Sequence, residues 1–194
     1  MKSAYKTFDG IRRARLRFDT RTVNGFTLSV SAGAEVLEEN NSEKNYDIAL
    51  RYENETETLK LQGAIAGSAT IQNNQPTRQD KVGSLSVLHK PSGVSFTMSG
   101  GIGNPGGRDI YAKLGYQRDW LSTGRTFLSV DYLQNKDIAF SGARAQAWGA
   151  AIVQSFHDQG FDLFLGLRGY RLAGAAATGY QDIRAVHFGS RWRF

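Results

Sequence analysis

Three arginines, Arg13, Arg15 and Arg17, recur at every second position near the start of the chain. In an extended strand that spacing puts three guanidiniums on one face, a row that attracts anions and is stable only beside water or opposing carboxylates. Residues suited to covalent chemistry are sparser. His89, His157 and His187 stand far apart, with no His-Glu-x-x-His or other metal-ligand spacing. Cysteine is absent, which excludes disulfides, thiol catalysis and cysteine-ligated zinc. Serines, histidines and acids occur without a triad-like arrangement. The chain is therefore read as non-enzymatic, with no catalytic residues, no metal site and no cofactor. Gly101-Ile-Gly-Asn-Pro-Gly106 fits the G-x-G-x-x-G pattern. A dinucleotide site needs a helix to follow it, but the next segment alternates like a strand and Pro105 interrupts the run. It reads as a hairpin loop.

The elements that must position these residues are strands. In Gly25–Val36, Phe26, Leu28, Val30, Ala32, Ala34 and Val36 alternate with the small or polar Gly25, Thr27, Ser29, Ser31, Gly33 and Glu35, the period of a half-buried strand. The same period marks Ile11–Phe18, Tyr46–Glu53, Leu59–Ile71, Val94–Gly100, Asp109–Arg118, Arg125–Leu133, Phe161–Arg171 and Arg184–Phe194, and imperfectly Val82–His89, where Leu88 falls on the polar face. Ala145–Phe156 is apolar on both faces, so its orientation is open. About eleven strands result, with no amphipathic helix.

Composition agrees with strands. Of 194 residues, 22 are glycine and only 3 proline, and proline removes a ladder donor. The formal net charge is +6, but basic and acidic residues interleave along the strands, which argues against nucleic-acid binding. No run approaches the roughly 18 apolar residues of a membrane helix. Membrane barrels escape that test, because their strands show lipid only every second residue. Links between strands alternate long and short along the whole chain, as in outer-membrane barrels.

Several stretches in order resemble a known family. They are Phe8-Asp-Gly10, Arg15-Leu-Arg-Phe-Asp19, Gly25-Phe-Thr-Leu-Ser-Val-Ser31, Tyr46-Asp-Ile-Ala-Leu-Arg-Tyr52, Gly83-Ser-Leu-Ser-Val-Leu-His89, Tyr111-Ala-Lys-Leu-Gly-Tyr116, Ser129-Val-Asp-Tyr132 and the terminal Gly189-Ser-Arg-Trp-Arg-Phe194. Together they resemble the C-terminal part of a Gram-negative general-diffusion porin. The resemblance implies an all-β, antiparallel transmembrane β-barrel in the bacterial outer membrane, with about eleven of sixteen strands present in one domain over residues 1–194. An odd strand number cannot close antiparallel, and the start has no signal-peptide form. The chain is accordingly expected to be N-terminally incomplete, without the first strands and constriction loop.

The resemblance further implies a water-filled channel for small hydrophilic solutes and ions, with anion preference. Arg13, Arg15, Arg17, Arg51, Lys60, Lys113, Asp131 and Arg168 would line the pore, Asp47 and Asp162 adding counter-charge. Val186, Phe188, Trp192 and Phe194 would form the C-terminal signal read by the barrel-assembly machinery. Aromatics near strand ends, among them Tyr52, Tyr116, Trp120 and Phe161, would anchor the barrel at the bilayer interfaces. Outer-membrane lipid, lipopolysaccharide and two further copies in a homotrimer would be partners. Two readings compete: a non-conducting outer-membrane barrel serving as adhesin, receptor or structural anchor, and a soluble β-sandwich binding module.

Overall fold

A computed structural model describes Phe8 and residues 14–36, 41–72, 75–104, 106–156, 159–174 and 179–192. Among them are eleven strands: β1 (Ala14–Asp19), β2 (Phe26–Ala34), β3 (Lys44–Glu55), β4 (Leu59–Ile71), β5 (Arg78–His89), β6 (Val94–Asn104), β7 (Gly107–Leu121), β8 (Gly124–Lys136), β9 (Arg144–Phe156), β10 (Phe161–Ala173) and β11 (Ile183–Trp192). They form one sheet in chain order, each strand pairing antiparallel with the next. At about 4.8 Å per strand, the meander is roughly 50 Å measured along the sheet.

The ends do not meet. β1 pairs with β2 and β11 with β10, and no pairing joins β1 to β11. The sheet is open, and the expected closed transmembrane barrel is corrected to an open antiparallel sheet. Alternation and link length report how many strands there are and which way each side chain faces. Neither reports whether the first strand reaches the last, and antiparallel closure needs an even number.

Register sorts the side chains into two faces. One row runs Leu61, Val87, Phe96, Leu114, Val130, Ala150, Leu167 and Val186 across β4 to β11. The adjacent row on the opposite face runs Gln62, Ser86, Thr97, Lys113, Asp131, Gly149 and Arg168. Burial is inverted relative to an ordinary domain. On the apolar face Leu16 is 82% exposed and Phe188 83%, whereas Ala147, Asn135 and Asp162 on the polar face are at most 2% exposed. The polar face is the sheltered one, its small residues lying beneath longer neighbours.

The same register settles β9, whose two faces were ambiguous. Trp148 and Ile152 stand on the apolar face, while Ala145, Ala147 and Gly149 are sheltered. The glycine run read as a loop is largely strand, since Gly101 to Asn104 complete β6; Pro105 lies outside the described residues. Aromatic contacts gather at strand ends, with ring centroids 4.6 Å apart for Phe26–Tyr52, 5.8 Å for Tyr116–Trp120 and 4.5 Å for Phe161–Trp192.

Two tight turns fix the register. Between β1 and β2, Asn24 and Gly25 both take positive φ (49° and 85°), and Val23 and Phe26 exchange backbone hydrogen bonds of 2.9 Å, the geometry of an Asn-Gly hairpin. Between β5 and β6, Gly93 has φ +72° and a Cβ there would collide with the Gln117 carbonyl oxygen. Replacing Gly93 by Ala combines that collision with a left-handed backbone, which costs an ordinary residue about 1–2 kcal/mol. Gly93→Ala is expected to lower stability by at least that amount, read as a shift of the urea midpoint. An unchanged midpoint would show that this turn does not set the β5–β6 register.

Candidate functional site

The polar face carries the charged side chains that could act on a ligand. Asp19 ends β1 and is the hub of the first cluster. Its Oδ1 accepts from Arg17 Nε at 3.0 Å and from Arg51 at 3.0 Å, and from the Ser29 hydroxyl at 2.5 Å. Arg51 also donates to Ser29 Oγ at 2.7 Å. Next to it, Arg15 pairs with Asp47 at 2.9 Å, and Ser31 donates to the same carboxylate at 2.6 Å. Three strands build this cluster because Arg17, Ser31 and Asp47 share one cross-strand row and Asp19 and Ser29 the next. A cavity of about 320 Å³ opens beside it, bordered by Arg15, Arg17, Arg51, Ser31 and the ring of Phe8.

Two other clusters lie farther along. Arg168 on β10 reaches over β9 to Asp131 on β8 at 2.9 Å. The residue between them is Gly149, where a Cβ would come 2.5 Å from Asp131 Oδ1, so the bridge depends on a bare backbone there. Lys113 sits opposite Asp131 in the ladder. At the far edge Arg191 pairs with buried Asp162 through two bonds, at 2.6 and 3.0 Å. At the short-turn end Glu55 holds Lys90 at 2.6 Å and Lys60 at 3.2 Å.

These contacts shift protonation. The hydroxyl of Ser29, then the Arg17 guanidinium, lower the Asp19 carboxyl below its usual range. Lys90, then Lys60, do the same for Glu55. Burial raises Asp109, and burial with the nearby Asp131 charge raises Tyr111. The arrangement suits electrostatic and hydrogen-bonding recognition: charges held in place by one another, with partly exposed guanidiniums at a cavity.

Of the residues singled out in the sequence, the structure gathers Arg15, Arg17 and Arg51 with Asp47, and joins Asp131 to Arg168. Lys60 stands apart with Glu53 and Glu55. Arg13 and Phe194 lie outside the described residues. Val186, Phe188 and Trp192 lie on the apolar face of the edge strand β11, 64%, 83% and 63% exposed. Asp19 and Ser29 were missed, although Asp19 follows Arg17 at the same two-residue spacing and so shares its face.

No family model matches the chain, and no curated protein or solved structure matches it either. With the sheet open, the porin resemblance is overturned. Among the described residues there is no closed wall and hence no lumen for the arginines to line, so the channel reading falls with it. The outer-membrane placement, lipid and lipopolysaccharide contacts, recognition by the assembly machinery and the homotrimer all presupposed a closed barrel and fall for the same reason. Among the described residues β1 and β11 each have a partner on one side only, and in hydrocarbon such edges would cost several kcal/mol per orphaned group.

The Asp19 hub makes a direct prediction. Its carboxyl titrates below the unfolded value of 3.8, so the interaction is present above that pH and is lost as pH falls through the depressed folded value. Ser29→Ala removes the largest contribution and is expected to move the Asp19 midpoint up towards 3.8, followed by carboxyl carbon NMR. A midpoint that stays put would mean the hydroxyl does not hold this carboxylate.

Proposed function

We propose that this chain is a non-catalytic binding module of the adhesin kind, in which the eleven-stranded sheet is one layer of a β-sandwich. The observation that carries the reading is the division of the faces, with large apolar side chains exposed on one and an ion-paired polar surface on the other. A sheet buries its apolar face against another layer, and facing sheets sit roughly 10 Å apart. An apolar surface running across eleven strands is far larger than a lone soluble protein displays and marks a contact surface.

The charged groups favour binding over turnover. Arg15, Arg17, Arg51 and Arg168 are each held by a carboxylate at 2.9–3.0 Å, an arrangement that fixes a recognition surface. The open edges favour the same reading, because a conduit needs a continuous wall.

The purified chain in detergent-free buffer is expected to run as a discrete particle by size exclusion with light scattering. In a planar bilayer it is expected to give no conductance steps. Steady ohmic steps, or a polydisperse aggregate made discrete only by detergent, would refute the module reading.

A further inference from the structure

The larger cavity lies on the opposite face from the ion-pair clusters. It is a groove of about 770 Å³, within the roughly 300–1,000 Å³ typical of ligand sites. Its floor is low because Gly83 and Gly100 face each other across β5 and β6. Ile65, Leu85, Met98 and Ile110 form its apolar sides.

One end of the groove is cationic. Lys81, Ile102, Arg108 and Lys136 occupy a single cross-strand row on β5 to β8, and all three cations border the cavity. Among the described residues none of the three makes an ion pair. The register explains why. The carboxylates of the regular ladder, Asp19, Asp47, Glu53, Glu55, Asp80, Asp109, Asp131 and Asp162, all project from the other face. An apolar trough ending in three uncompensated cations is complementary to one kind of molecule.

We infer that the groove binds a single-chain anionic amphiphile, a long-chain carboxylate, sulfate or phosphate monoester taken up as a free monomer. Its hydrocarbon lies over Gly83 and Gly100 between Ile65, Leu85 and Met98. Its head group meets Lys81, Arg108 and Lys136, with charge-assisted hydrogen bonds from the guanidinium and ammonium donors. The inference rests on the binding-module reading and names a ligand class for it: the hydrocarbon lies between this sheet and the layer that covers it, and the head group stays at the cationic row, which runs near the ends of β6, β7 and β8.

Gly83 offers a clean variant. A Cβ there meets only the Ala64 carbonyl oxygen at 3.8 Å and an Ile65 methyl at 3.9 Å, which is ordinary contact, so the backbone accepts a side chain at this position and Gly83→Val raises the floor. The probe is dodecanoate below its micelle concentration, titrated calorimetrically into the full chain. One-to-one binding is expected, with octanoate weaker on the order of tenfold because four methylenes are lost from a half-covered chain. Dodecyltrimethylammonium should bind at least tenfold more weakly than dodecanoate, and added salt should weaken dodecanoate. Gly83→Val, checked for unchanged circular dichroism, should lose at least tenfold. Lys81→Gln with Arg108→Gln should lose a similar factor and abolish the preference for the anion.

Equal binding of the two amphiphiles, unaltered binding by Gly83→Val, binding seen only with micelles, or binding only to anionic vesicles would each overturn the inference. If dodecanoate fails to bind while the chain remains discrete and non-conducting, the ligand assignment falls and the module reading stands.

Discussion

The continuous backbone ladder is the constraint on which everything else depends. Ten antiparallel pairings hold eleven strands in one register, and each fixes which face a residue joins. A slip of one residue in any strand would move its whole apolar set to the polar side. Glycine turns at both ends of the strands, and an irregularity between Arg118 and Leu121 near the end of the β7–β8 pairing, are the places where that register is set or relaxed.

Register also explains the charge separation. Side chains of both signs share the polar face, where arginine and carboxylate meet across one strand or two, as Arg168 and Asp131 do over Gly149. Among the described residues of the regular ladder, the opposite face carries cations and no carboxylate. Anionic and cationic residues are interleaved in sequence, yet the fold sorts them into a balanced surface and a one-signed rim. Net charge alone reports neither.

What could be read from the sequence was local. Strict alternation in Gly25–Val36 or Arg184–Phe194 marks a strand because both faces differ in polarity, and Arg15 and Arg17 declare a shared face by their spacing. What could not be read depends on neighbours. β9 carries small residues on both sides, and only the pairing of Trp148 with Tyr132 orients it. Gly101 and Gly103 look like a loop because glycine is depleted in strands, but β5 and β7 hold them in β6. Lys81, Arg108 and Lys136 lie far apart in the chain and become adjacent only through three successive pairings. Closure left no trace in alternation or link length, which is how an open sheet came to resemble a barrel.

Among the described residues the strand number is odd, which has a consequence for the two outer strands of the sheet. Ten reversals separate β1 from β11, so both edges run in the same direction. Joining the head of one copy to the tail of another would require a parallel seam inside an otherwise antiparallel sheet, and repetition of that seam would give a polar filament. Pairing like edge with like edge about a two-fold axis keeps every seam antiparallel and carries the apolar surface unbroken from one copy to the next. Growth by that route alternates between β1–β1 and β11–β11 junctions, so a ribbon assembled this way would have no polarity.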